Sequence, residues 1–323
     1  METCCIKYKN RQRLCKGLKK PVFVLIVDNI YEYSQIVNSR MMYSYWLEKS
    51  FKLFNNIELV VFNRSLGFNN YPVSDYTVIH TLAGSINQDQ FRIIRDRTRK
   101  KIAVFVEVKI PDYGMTDLFF TYGQYNGYKR ISINAPIDKS EYIYKEKIPN
   151  SILLDHAWID YYGTVNERYE LTLPIINMLE KHKDNFKIYK LMKWNEKPES
   201  YPDWITQISQ VSFKNYLEAI SDKAVFIATH YGSYNSSVVD AVAFGAKVII
   251  PRVGRPFAPW MGRPFVPKYN VKLFDLIVAN SVSHIERLIY DPMDPVKFKN
   301  NIDKCTDMID ACRFMLEKMG IYE

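Results

Sequence analysis

The sequence lacks the features that mark several classes of protein. Its five cysteines lie near the two ends of the chain with no Cys-x-x-Cys pair and no secretory signal before them, which favours free thiols over a disulfide framework. No apolar run approaches the about 20 residues that a membrane-spanning helix needs. His-Glu-x-x-His, EF-hand and Walker motifs and paired Cys/His ligands are also missing, so no bound metal is predicted. Together these absences favour a soluble, cytoplasmic protein.

The composition predicts a folded protein with an anionic partner. With 323 residues, 47% of them hydrophobic and 24% charged, the chain is long enough for two cores and too apolar for a disordered segment. The excess of 44 Lys and Arg over 35 Asp and Glu favours phosphates, nucleic acid or an acidic membrane surface without selecting among them. Acylation of Cys4 and Cys5, which lie close to basic residues, would anchor the chain to a membrane, so peripheral membrane contact stays open.

Buried strands alternate with helices along the whole chain. Continuous apolar runs such as Pro21–Val27 (PVFVLIV) and Lys247–Ile250 (KVII) are typical of strands covered on both faces of a parallel sheet. The polar, proline-bracketed segment Ala135–Asn150 is predicted to link two such series. The sequence thus predicts an α/β protein with two tandem Rossmann-like domains. The expected parts are a basic leader (1–20), an N-terminal domain (21–140), a C-terminal domain (141–300) and a closing helix (301–323).

The segment after the predicted strand Ala224–Ala228 has the composition of a phosphate-binding loop. It is rich in small and hydroxyl residues and opens a helix, whose amino terminus offers unpaired N–H groups and a partial positive charge. Gly232 would let the backbone approach a ligand closely, and Ser236 and Ser237 would cap the helix or bind phosphate oxygens. Asp240, in the first turns, is placed to accept hydrogen bonds from ribose hydroxyls. The alternative is a serine N-cap followed by a solvated aspartate.

The sequence from His230 to Pro251, HYGSYNSSVVDAVAFGAKVIIP, resembles the donor-site motif of glycosyltransferases with the GT-B fold. In these enzymes a glycine and serine loop leads into a helix with an acidic residue, followed by a glycine and a strand ending in proline. The resemblance implies two Rossmann-like domains facing each other across a cleft, with the C-terminal one holding a nucleotide-diphosphate sugar, based on UDP or GDP. It also implies a metal-independent enzyme with no tightly bound cofactor.

The resemblance assigns roles around the donor nucleotide. Asp240 would bind the ribose, and the loop and helix residues around the diphosphate would be Gly232, Ser233, Ser236 and Ser237. His230 matches the histidine that begins this loop in some inverting families, where it would donate to an oxygen or carry positive charge. A purely structural role is the alternative for this histidine.

Further donor contacts are expected on the first two strands of the C-terminal domain. Lys190 and Lys193 resemble the basic residue that neutralises the leaving diphosphate, and strand alternation lets only one of them reach the site. His156 follows the first strand of this domain, where the family has a loop that touches the diphosphate or the donor sugar. Gly232 occupies the position of a second glutamate in the largest retaining group, which favours an inverting reaction.

An inverting transfer needs a general base that takes the proton of the acceptor hydroxyl. In the N-terminal domain Asp28 ends the first strand, His80 the third and Glu107 the fourth. Asp28 is the predicted base and His80 the second candidate. A turn or N-cap role is the alternative for Asp28.

The predicted function is therefore transfer of a sugar from a nucleotide sugar to a hydroxyl of a glycan or glycoconjugate acceptor. One alternative is a sugar-nucleotide 2-epimerase of the same fold. Another is a basic protein that binds nucleic acid or a membrane surface without catalysis. Apart from the leader and the stretch Arg92–Lys101 the basic residues are scattered, so nucleic acid is not expected as a partner.

Overall fold

The computed structural model of the protein describes residues 19–30, 32–33, 36, 39–80, 86–106, 113–122, 130–155, 167–192, 201–209, 212–228, 236–251 and 274–322. These residues belong to two compact units. One unit draws on the ranges 1–29, 48–119 and 314–323, and the other on the ranges 30–47 and 120–313.

The first six-stranded sheet has the order β2-β1-β3-β4-β5-β6. Its strands are β1 Val22–Val27, β2 Glu58–Asn63, β3 Ser74–His80, β4 Thr98–Val106, β5 Leu118–Tyr122 and β6 Arg130–Ile133. Parallel pairing joins β1 to both β2 and β3, so the order reverses between β1 and β3. Residues 23–27 of β1 are almost fully buried, as the continuous apolar run predicts.

The second six-stranded sheet has the order β12-β11-β10-β7-β8-β9. Its strands are β7 Ile148–Leu154, β8 Lys187–Met192, β9 Thr206–Ser209, β10 Lys223–Ile227, β11 Lys247–Pro251 and β12 Ile277–Ala279. All neighbouring strands are parallel. Renumbered within this sheet, the order is the 3-2-1-4-5-6 order of dinucleotide-binding folds, with its reversal between β7 and β10.

Helices connect the strands of both sheets. They are α1 Ser39–Phe51, α2 Gln88–Arg97, α3 Glu167–Glu180, α4 Phe213–Ile220, α5 Ser236–Ala243, α6 Val282–Tyr290, α7 Pro295–Lys299 and α8 Met308–Met319. An Asn87–Gln90 capping box begins α2, and Ser212 caps α4. Within the described ranges, no helix combines the length and apolarity needed to cross a membrane.

Aromatic residues from two distant stretches of sequence pack together in the second unit. The ring of Trp46 in α1 meets Phe213 edge-on at 6.0 Å and lies 6.3 Å from Tyr142. The N–H of Phe213 donates to the carbonyl of Ile36 over 2.8 Å. Residues 30–47 thus belong to the core of the second unit, although they lie between β1 and β2 in the chain.

The predicted linker Ala135–Asn150 connects the two sheets, but it is not a solvated segment. Ala135, Ile137 and Tyr142 are buried, and β7 already begins at Ile148. Ile137 also bonds to the backbone of residues 306 and 308. This pairing interrupts the predicted C-terminal helix, so that α8 begins only at Met308.

Candidate functional site

The two segments that flank the strand reversal of the second sheet meet at its carboxyl edge. Asp155 directly follows β7, and α5 follows β10. The N–H of Asp155 donates to the carbonyl of Ile227 over 3.1 Å, and the hydroxyl of Ser237 donates to Oδ1 of Asp155 over 2.9 Å. Both side chains are buried. Ligands bind at this position in open α/β sheets.

Asp240 lies one turn after Ser237 on the same helix and is held by two tyrosines. Tyr142 donates its phenol hydroxyl to Oδ1 over 2.6 Å, and Tyr216 donates to Oδ2 over 2.8 Å. Only 3% of Asp240 is exposed, so the alternative of a solvated aspartate is wrong. Both carboxylate oxygens of the predicted ribose ligand therefore already accept a hydrogen bond within the protein.

Burial controls the electrostatics of this cluster. It raises the pKa of the Asp240 carboxyl to about 7, with a further increase from the nearby Asp155 charge, while the hydrogen bonds from Tyr142 and Tyr216 act in the opposite direction. Burial also raises the phenol pKa of both tyrosines well above its usual value, and the Asp240 charge adds to this increase. The tyrosines thus stay protonated donors, and the carboxyl titrates near neutral pH.

Lys190 reaches the same region of the sheet. It is paired with Leu154 across β7 and β8, one position before Asp155. Its side chain is fully buried, with Nζ 2.7 Å from the carbonyl of Leu191 and 5.2 Å from the ring centroid of Tyr201. Its action on a diphosphate stays a prediction.

Several predicted donor residues lie outside the described residues: His156, Lys193, His230, Gly232 and Ser233. Ser236 begins α5, as predicted, and only its backbone is described. The roles of all these residues remain predictions.

In the first sheet, the two candidate bases lie where β1 and β3 end, on either side of the strand reversal: Asp28 follows β1, and His80 is the last residue of β3. His80, the last residue of β3, pairs in register with Val27, which immediately precedes Asp28. Arg64 donates from Nε to Oδ1 of Asp28 over 2.8 Å. The imidazole of His80 is 3% exposed, with its ring 5.7 Å from that of Phe105. Both residues lie at the carboxyl edge of their sheet, and their catalytic role stays a prediction.

The sequence interpretation missed Asp155, Tyr142 and Tyr216 as members of the cluster. Asp155 had a usable signal, because an acidic residue directly after a buried strand lies at the carboxyl edge of the sheet. The two tyrosines had none, since one lies in a polar stretch and the other on the apolar face of an amphipathic helix.

Comparison with known proteins identifies the fold. An α-glucosyltransferase in complex with UDP-glucose and DNA containing an abasic site gives a TM-score of 0.56 at 9% identity, over 93% of this chain and 99% of that chain. HepE from Anabaena, in complex with UDP and glucose, gives 0.58 at 9% identity over 92% and 99%. The UDP-GlcNAc 2-epimerase of Methanocaldococcus jannaschii, with UDP-GlcNAc and UDP, gives 0.50 at 9% identity over 87% and 98%.

No protein-family model matches the sequence, and comparison with curated proteins gives no significant match. The structural similarity therefore establishes the fold alone. The chain has the two-domain GT-B fold, an α/β architecture with two Rossmann-like sheets, as its sequence predicts.

Proposed function

We propose that the protein is a glycosyltransferase that moves a sugar from a nucleotide-diphosphate sugar to a hydroxyl of a glycan or glycoconjugate. UDP is the favoured nucleotide of the donor. The observation that carries the proposal is the meeting of Asp155 and Ser237 at the strand reversal of the second sheet. This is where a GT-B fold offers a nucleotide site, and each of the three compared structures contains UDP or a UDP-sugar.

The donor would bind with its diphosphate at the N-terminus of α5. The helix dipole and the N–H groups of its first turn stabilise negative charge there. Lys190 lies at the same sheet edge and would supply a further positive charge. The ribose would reach Asp240 through the lone pairs that the two phenols leave unused, since a carboxylate has about four acceptor positions.

The acceptor would bind beside the carboxyl edge of the first sheet. In a single displacement, the acceptor oxygen forms a bond to C1 of the sugar while the bond from C1 to the diphosphate oxygen breaks. The nucleoside diphosphate leaves with the electron pair, and the hydroxyl proton moves to the Asp28 carboxylate. Arg64 would fix the orientation of Asp28 through its bond to Oδ1.

Thermal stability with UDP, GDP and their sugars tests the donor site. A nucleotide that binds only the folded protein should add about 2.7 kcal/mol at 100 times its Kd. Asp240→Asn and the replacement of UDP by 2′-deoxy-UDP should each reduce the stabilisation by the nucleotide. The two changes together should reduce it little more than either change alone, because both remove the same contact. Additive losses would contradict the ribose contact, and a folded protein that no nucleotide stabilises would contradict the function.

The reaction products distinguish a glycosyltransferase from the alternative, a sugar-nucleotide 2-epimerase. Incubation with a UDP-sugar and acceptor glycans, followed by NMR, should give free UDP and a new glycosidic linkage. Interconversion of the nucleotide sugar with its C2 epimer, without an acceptor product, would identify an epimerase instead.

The basic stretch Arg92–Lys101 gives little support to a nucleic-acid binder. Its six basic side chains all contact acceptors or a ring within the first unit: Asp89, Asp117, the carbonyls of Tyr71 and Lys318, Asp75 and the ring of Tyr76. Because one compared enzyme carries DNA, duplex DNA belongs among the acceptors tested. Sugar transfer to DNA but to no glycan would show that the acceptor is DNA and not a glycan or glycoconjugate.

A further inference from the structure

A cavity of about 530 Å³ lies in the second unit, and Asp155, Ser237 and Asp240 are not among the residues that line it. This volume is within the range of small-molecule sites. Tyr33 and Tyr45 form one wall, the segment 140–145 forms another, and residues of α4 with Phe244 complete it. Among the described residues, none that is assigned above to donor or acceptor chemistry lines it.

The interior of this cavity is aromatic and well anchored. The rings of Tyr33 and Tyr45 lie 5.5 Å apart at 52°. Tyr33 donates its hydroxyl to Oε2 of Glu141 over 2.8 Å, which fixes its ring. Leu217 and Phe244 are 4% and 2% exposed and form an apolar base. The cavity thus offers fixed aromatic rings to a ligand at little cost in side-chain entropy.

Within the described ranges, the charged side chains that line the cavity balance each other. Lys145 and Lys214 supply two positive charges, and Glu141 and Glu218 supply two negative ones. A site for a phosphate or a nucleotide would need an excess of positive charge. Ammonium donors and carboxylate acceptors around aromatic rings instead suit a ligand whose hydroxyls both donate and accept and whose C–H faces are apolar.

We propose that this cavity binds a neutral saccharide unit of the acceptor glycan. The role of this saccharide as part of an acceptor rests on the proposed function, whereas the binding of a saccharide in the cavity does not. The cavity also lies close to Asp240, because the ring of Phe244, which lines the cavity, lies 5.1 Å from that of Tyr142, whose hydroxyl bonds to Asp240. An oligosaccharide that occupies this cavity with one of its sugar units gains contacts that a single acceptor sugar lacks, so long acceptors are favoured.

Binding of the full-length protein to an array of neutral and acidic glycans, followed by calorimetry with the strongest neutral oligosaccharide, tests the proposal. Tyr45→Ala should weaken binding about tenfold, because it removes an aromatic face. Lys214→Ala and Glu218→Ala, which change exposed side chains, should each weaken it about threefold. The matched controls Tyr322→Ala and Lys183→Ala, exposed residues outside the cavity, should bind as the wild type does.

Three results would overturn the proposal: no glycan is bound, only acidic glycans are bound, or the cavity variants bind as the controls do. UDP binding, measured on the same preparations, separates this proposal from the proposed function. Loss of saccharide binding with UDP binding intact removes only the cavity site. Saccharide binding by a protein that binds no nucleotide overturns the glycosyltransferase and leaves a glycan-binding protein.

Discussion

Ser237, in the first turn of α5, donates its hydroxyl over 2.9 Å to the carboxylate of Asp155, the residue that follows β7. Both side chains are at most 1% exposed. A bond in this position holds the start of α5 against the end of β7. The candidate donor site is therefore braced by the protein itself, before any nucleotide binds.

Ser237→Ala should lower the free energy of unfolding by about 1 to 3 kcal/mol, because a buried carboxylate loses a donor. Urea denaturation measures the change. Ser283→Ala is the control, since this serine also lies in the first turn of a helix but is exposed, and its loss should stay within about 0.5 kcal/mol. Equal losses in the two variants would show that the Ser237 bond contributes nothing.

Tyr142→Phe should cost about 1.5 to 3 kcal/mol of stability, because the variant removes a hydrogen bond to a buried carboxylate and keeps the ring. The packing of that ring on Phe244 is preserved, so the loss reports the hydroxyl alone. Tyr322→Phe, which removes an exposed hydroxyl, is the matched control. A Tyr142→Phe protein as stable as this control would contradict the bond to Asp240.

The Asp240 carboxyl should make stability depend on pH between about pH 4 and pH 7. Its pKa is raised from 3.8 to about 7 in the folded protein, so in this window the folded state binds a proton that the unfolded state has lost. The stabilisation is complete below the unfolded pKa and decreases as the pH rises, by at most about 1.4 kcal/mol per pH unit.

Asp240→Asn isolates this effect from all other titrating groups. The difference in unfolding free energy, wild type minus variant, should decrease from about pH 4.5 to pH 7 and stay level at higher pH. Chemical denaturation of both proteins across this range measures it. A constant difference would mean that the carboxylate is ionised throughout and that its burial is compensated.

Gly245→Ala should destabilise the protein more than Gly114→Ala does. Both glycines have φ +74, so both variants strain the backbone by about 1 to 2 kcal/mol. At Gly245 a Cβ would also lie 3.0 Å from Cα of Lys299 and from the carbonyl oxygen of Phe298, whereas at Gly114 it would meet nothing within 4 Å. Denaturation midpoints compare the two, and equal losses would mean that residues 298–299 move aside easily.

Much of the fold was predictable because its signals are local. Continuous apolar runs indicate β1, β10 and β11, and the start of α5 follows from the serines before an apolar helical face. The short edge strands β9 and β12 were not predicted, since four and three residues carry too little pattern. Their position depends on pairing with neighbours that the sequence does not specify.

The candidate site was predictable only in part, for a physical reason. The position of Asp240 on a helix after a parallel strand follows from local sequence. Its burial does not, because the tyrosines that bond to it lie 98 and 24 residues away in the chain. The acidic partner Asp155 likewise becomes a neighbour of Ser237 only when the sheet has formed, 82 residues apart in sequence.

The contact between Trp46 and Phe213 has a consequence for synthesis on the ribosome. Chains elongate at about 5 to 20 residues per second, so Trp46 emerges roughly ten to thirty seconds before its partner exists. During that interval the aromatic face of α1 is exposed and competes for chaperones and for other nascent chains. A codon change that slows translation between these positions lengthens the exposure, and the yield of soluble protein should fall although the amino-acid sequence is unchanged.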